Sequence, residues 1–351
     1  MKSTVRTLIA VLVVALALPA ALLAGEKIDE TFSLQPGQEV SLSFDAIEGD
    51  IQIEGWDQNQ VQVQGTTSGS DWREGEPLDF DEKGWGLQIA PRGRYRDRDH
   101  VRIRLSIKVP RQVDLDIETE TDLRITDVEG DLEVSVANAD VDLTRVRGGG
   151  RVAAVNGRMS LVGCQLDAEI SNVNGRLRMA DSDIKGEVSV VNASMDVSNA
   201  PEGIDLSSVN GHVDVGKAAD FVQVSTTNGN VEVDELDGWI EAETVNGSVH
   251  VRLTGLPDGR RTVDIETVNG NVELEIPEDF SLEFDVRVES SDDYKKYEID
   301  SDFELDIREE GGRRGDEQRL RGRGQLNDGE HTVRIRTTNG DVVLKRLASS
   351  R

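Results

Sequence analysis

The chain has 351 residues, a formal net charge of −29, 4% aromatic residues and one cysteine, Cys164. A surface this acidic repels nucleic acid and anionic lipid head groups, so neither is expected as a partner. A single cysteine excludes an intramolecular disulfide framework, and Cys164 is expected to be a small apolar filler inside the fold.

Lys2 and Arg6 make a short basic start, an apolar stretch from Leu8 to Leu23 follows, and Ala24 and Gly25 precede the first charges, Glu26 and Lys27. That is the order of a secretory signal. The stretch contains Pro19 and falls short of the about 20 apolar residues of a membrane-spanning helix. Residues 1–24 are therefore expected to be a cleaved signal peptide, the protein to be exported to the periplasm or cell surface, and the mature chain to hold no transmembrane segment. With no cysteine at the cleavage region, a lipid anchor is not expected.

Residues 25–118 are expected to form an N-terminal β cap and the first coils of a repeat. Ile51, Ile53, Val61 and Val63 alternate as an early coil would. Residues 66–100 interrupt it with Trp72, Trp85 and the basic run Arg92, Arg94, Arg96 and Arg98; strands resume at 101–109, and Pro110 opens the entry to the repeats.

Residues 119–276 carry the strongest pattern. Asn138, Asn156, Asn174, Asn192, Asn210, Asn228 and Asn246 follow one another at a constant step of 18. Val usually precedes the Asn and Gly usually follows it, with Ala139 and Ala193 as exceptions. Apolar residues recur three, five and fourteen positions on, as in Val213, Val215 and Val224. This alternation predicts two short strands per repeat, with one corner at the Asn and another near the middle. Asn-Gly between strands is also a hairpin signal. Hairpins, however, do not need equal repeat lengths, whereas stacked coils about 4.8 Å apart do. The predicted fold is therefore all-β: a single-stranded β-helix (β-solenoid) with 18-residue coils and irregular β caps. The asparagines become a structural ladder of stacked amides, with the following Gly supplying positive φ and the Asn itself able to adopt it.

Asn269-Gly270 follows Asn246 by one coil plus five, with the extra residues placed at Pro257, Asp258 and Gly259. Residues 277–351 are expected to be a less regular β region and cap. They hold a charged loop with Arg313, Arg314, Arg319, Arg321 and Arg323, and they close on Thr338-Asn339-Gly340 and a strand at 342–344.

The Ile107-Lys108-Val109-Pro110 entry, the Asn-Gly units followed by alternating valines, and the ending from Gly322 to Asp341 resemble the bacterial putative-adhesin domain of unknown function. They are similar to the toast-rack-like and adhesin-head β-solenoids of cell-envelope proteins. The resemblance spans roughly residues 40–346. It implies a right-handed β-helical domain in the bacterial envelope and supplies no catalytic residues.

No nucleophile elbow, phosphate loop or zinc-protease motif is present, and His100, His212, His250 and His331 show no common spacing. The sequence thus points to a non-catalytic structural or binding module whose partner is an envelope protein, a glycan or a second copy. The resemblance also suggests a periplasmic partner of an envelope-stress or signalling protein. A polysaccharide-acting β-helix enzyme is a third reading, and the scarcity of aromatics beyond Trp239 in the coils weighs against it. No cofactor is expected. One ligand follows from the outward position four after the Asn, where Asp196, Asp214 and Glu232 are successive. These three carboxylates are expected to offer a weak, water-completed surface contact to Ca²⁺.

Overall fold

The computed structural model describes residues 26–44, 48–68, 78–92, 102–256, 260–290, 296–309 and 319–347. The expected signal peptide, Trp72, Arg94, Arg96, Arg98, His100, the loop at 257–259, Arg313 and Arg314 lie outside them. The described residues form strands and no helix, joined in one continuous sheet that winds through the molecule. No described helix is long and apolar enough to cross a membrane.

The coils stack in parallel at the predicted step. Asn156 pairs with Asn174, Asn174 with Asn192, Asn192 with Asn210, Asn210 with Asn228 and Asn228 with Asn246. The insertion is absorbed between coils, so that Asn246 pairs with Asn269. Period-two alternation places one side chain in two inside, where Val188, Leu206 and Val224 stack on one another at 0–1% exposure. Apolar burial along this column is the main force holding the coils together, at about 25 cal/mol per Å². Pairing often runs straight through a corner: the strands Arg147–Val162 and Gln165–Ala180 continue through the Asn corner, and Val213–Asn228 and Val231–Asn246 through the corner near the middle of the repeat. The alternation in the sequence predicts two separate short strands there. The corner bends the chain without breaking the ladder because neighbouring coils bend at the same rung.

Glycine serves the corner differently from the expectation. Of the residues after the ladder asparagines, only Gly175 has positive φ, and of the ladder asparagines only Asn138 does. A Cβ on Gly157, Gly211, Gly229 or Gly247 would instead overlap the carbonyl oxygen of the residue one coil earlier. The demand is for close approach of one coil to the next.

Both ends reverse the order of coils. Glu39–Phe44 and Glu48–Trp56 lie on the coil Asp114–Thr119 and Asp122–Thr126. Outside them sit Gly86–Pro91 and Arg102–Pro110, which come later in the chain than the coil they cover. Gln60–Ser68 then runs antiparallel on Arg102–Pro110, and Glu26–Ser33 antiparallel on Gln60–Ser68. Val61 and Val63 therefore belong to the cap, whereas Ile51 and Ile53 belong to a coil.

The C-terminal end mirrors this plan. On Thr262–Asn269 and Val272–Pro277 sit His331–Asn339 and Val342–Leu347, the last strands of the chain. The outer layer is the earlier pair Leu282–Glu289 and Ile299–Ser301. Arg319–Leu326 and Leu305–Glu309 add antiparallel strands beyond it. Arg319, Arg321 and Arg323 thus lie in a strand, not in the loop expected of them, and Asp285 faces Arg321 at 3.2 Å. Antiparallel, charge-bearing outer strands replace the open edges that bare coils would present.

Candidate functional site

The asparagine ladder is a continuous chain of side-chain hydrogen bonds. Each Nδ2 donates to the Oδ1 of the asparagine one coil earlier, at 2.7–3.0 Å, from Asn156 on Asn138 through Asn246 on Asn228. Asn269 and Asn339 extend it at 2.9 and 2.8 Å. The sequence places Asn269 one coil and an insertion beyond Asn246, whereas spacing does not assign the Asn339 rung, because a long excursion of the chain precedes it.

Asp196, Asp214 and Glu232 occupy neighbouring coils on one outward column, with Arg178 before them and His250 after them. Arg178 Nη2 lies 3.3 Å from Asp196 Oδ2, which engages one of the three carboxylates. The column brings the residues side by side, yet it does not draw their oxygens into one compact ligand set. Among the described residues, the His, Cys, Asp or Glu donors that converge within 4.8 Å of one another are those of His250, Glu273 and Glu275.

That cluster is an ion-pair network. His250 Nε2 lies 3.3 Å from Glu275 and 3.9 Å from Glu273. Arg252 Nε donates to Glu275 at 2.8 Å, and Lys345 Nζ lies 2.5 Å from Glu273. The Arg252 hydrogen bond, ahead of the Arg252 and His250 charges, holds the Glu275 carboxyl below its usual range. With two cations already facing its two carboxylates, the cluster does not need a metal for charge balance. Sequence reasoning missed it because the insertion carries Glu273 and Glu275 out of step with His250.

The remaining described histidines bond to backbone: His212 Nδ1 accepts from Asn230 N, and His331 Nδ1 from Arg261 N. Cys164 is buried, and burial pushes its thiol up in pKa. Both arrangements are unsuited to nucleophilic catalysis, which needs an activated and accessible group.

One hollow has the make-up of a contact site for a small ligand. It measures about 300 Å³ and is lined by Trp239, Glu241, Arg260, Arg261, Asp264 and Arg334. Trp239 stacks on Phe221 of the preceding coil, with centroids 5.6 Å apart, and the hollow lies on the side of the later coils. Arg334 pairs with Asp264 at 2.9 Å. An aromatic wall ringed by polar and charged groups can receive a ligand with one apolar face and several hydroxyls.

The Toastrack DUF4097 family model matches residues 105–345, from the outermost N-terminal coil to the final strand. The chain belongs to the Toastrack DUF4097 family. No curated protein matches it. Solved structures similar to this Toastrack chain include a putative adhesin from Parabacteroides distasonis, at 10% identity and a TM-score of 0.34, covering 92% of this chain and 98% of that one. A putative cell adhesion protein from Clostridium sporogenes gives 11% identity and a TM-score of 0.19, covering 92% and 100%. A putative adhesin from Bacteroides fragilis gives 10% and 0.23, covering 92% and 97%. Overlap this loose carries no argument about function.

Proposed function

We propose that this Toastrack protein is an exported, non-catalytic binding module of the bacterial envelope that contacts glycans through the Trp239 hollow. The observation that carries the reading is the hollow itself: an aromatic wall backed by Phe221 and ringed by Glu241, Arg260 and Arg261 on a scaffold fixed by the ladder. A rigid scaffold lowers the ordering cost of binding, and a pyranose ring presents both an apolar face and hydroxyls. The basic, apolar, small-residue start of the chain supports export.

The test is a glycan array probed with the mature chain and with Trp239→Ala, followed by Trp fluorescence titration of any hit. Binding that is lost in Trp239→Ala supports the reading. An empty array, or hits that survive the substitution, contradicts it.

A further inference from the structure

Cations are outnumbered in this chain, with 39 Lys and Arg against 68 Asp and Glu. A guanidinium on its surface should therefore find a carboxylate at hand. Among the described arginines, all but Arg104, Arg176, Arg260 and Arg261 form an ion pair with Asp or Glu. Arg260 and Arg261 are adjacent, both are exposed, and both line the Trp239 hollow. Arg260 Nε donates to the Glu330 carbonyl at 3.4 Å, and the backbone N–H of Arg261 donates to His331 Nδ1. These contacts anchor the segment beside the hollow and leave both guanidinium charges uncompensated.

The other charges of the hollow stand differently. Asp264 is engaged by Arg334 at 2.9 Å and by Arg336 at 3.7 Å. Glu241, in register with Asp264 on the coil before, is exposed. Once the Arg334–Asp264 pair cancels, the lining holds two arginines against Glu241, an excess of positive charge in a molecule that carries −29. Nor are the arginines spent on the indole ring. Trp239 stacks on Phe221, whereas the cation–ring contacts among the described residues are Lys108 on Trp56 and Arg346 on Phe303. Two like charges side by side repel, and a bound anion turns that repulsion into charge-assisted hydrogen bonds.

Resting on the reading of the hollow as a glycan site, we propose that its ligand is acidic: a pyranose unit bearing a carboxylate or sulfate. Arg260 and Arg261 bind the anionic oxygens, the ring lies on Trp239, and a sugar hydroxyl donates to Glu241. The planar guanidinium presents its donors as a fork that matches two oxygens of one anionic group, which carboxylate and sulfate share. A volume of about 300 Å³ stands at the low end for ligand pockets. It suits one sugar unit of a longer chain.

The test is calorimetric titration of the mature chain with ligand pairs that differ in charge: trigalacturonate against its methyl ester, and sulfated maltotriose against maltotriose. The acidic member of at least one pair should bind about tenfold or more tighter than its neutral partner, and the pair that shows it distinguishes carboxylate from sulfate. The double substitution R260Q/R261Q should erase that preference without moving the melting temperature, since both side chains are exposed. R104Q/R176Q removes the same charge away from the hollow and should keep the preference. Equal binding within both pairs, lost in Trp239→Ala, overturns the acidic ligand and leaves the glycan reading standing. No binding by any of the four ligands, or binding that survives Trp239→Ala, overturns both. A preference that R104Q/R176Q weakens as much as R260Q/R261Q does comes from overall charge, and that result also overturns the proposal.

Discussion

The buried residue two places before the ladder asparagine shows how one position is satisfied in some coils and not in others. Thr244, Thr267 and Thr337 donate their hydroxyls to the corner glycine carbonyls of the preceding coil, at 3.2, 2.9 and 3.0 Å. Ser208 and Thr226 occupy the same phase with buried hydroxyls that lack a partner, and Val190 fills it with no hydroxyl at all. Removing an unsatisfied hydroxyl should cost nothing, whereas removing a bonded one should. Thr226→Val is therefore expected to hold or raise the melting temperature, and Thr267→Val to cost about 1 kcal/mol in urea unfolding. Equal effects from the two would contradict the assignment.

Glu275 makes a second residue-scale case, because its side chain is only 16% exposed and its carboxyl is depressed first by the Arg252 hydrogen bond. A depressed folded pKa contributes stability that is fully present above the unfolded carboxylate value of about 4.5 and is lost as pH falls through the lower folded value. The stability of wild type should thus fall more steeply below pH 4.5 than that of Glu275→Gln. Parallel acid curves would remove Glu275 from the account. On the outward column, Asp214 lies between Asp196 and Glu232, so Asp196→Asn, Asp214→Asn and Glu232→Gln together should raise the melting temperature slightly at low salt by relieving repulsion. The expected weak Ca²⁺ contact there is checked by comparing CaCl₂ with NaCl of equal ionic strength. A larger rise with calcium in wild type, absent from the triple variant, supports it, and equal rises leave a solvated acidic face.

At the scale of the coil, inward and outward positions differ sharply in what they tolerate. Leu206 is fully buried between Val188 and Val224, while its neighbour Ser207 faces outward. Leu206→Asp is expected to cost about 4 kcal/mol or more, enough to prevent folding, because it leaves an unpaired charge in the core. Ser207→Asp should stay within about 0.5 kcal/mol of wild type. A cooperative unfolding curve of normal midpoint for Leu206→Asp would show that the inward assignment is wrong. The coil was also the scale most legible in the sequence. A constant step of 18 fixes which residues stack, and alternation fixes which face inward, so the ladder and the column through Leu206 follow without coordinates. The reason for the corner glycines was not legible. Close approach of a carbonyl from the coil beneath depends on a partner one full coil away and leaves no mark that separates it from a positive φ.

For the molecule as a whole, what the sequence concealed is the exchange of coil order at both ends. Leu282–Glu289 passes over the slot beside Thr262–Asn269, and that slot is filled only by His331–Asn339. Nothing local in the segment 277–330 signals such a jump, because pairing so far along the chain is settled by which edge is free once the coils have formed. The Trp239 hollow was hidden for a similar reason: Arg334 reaches it from the returning strand. All of these placements rest on parallel stacking at an 18-residue step, and backbone amide nuclear Overhauser contacts in a deuterated sample test that step directly. The stack predicts contacts that link the Asn192, Asn210 and Asn228 segments in succession. Contacts joining Thr227 to Asn230 across a tight hairpin, in place of that series, would contradict it.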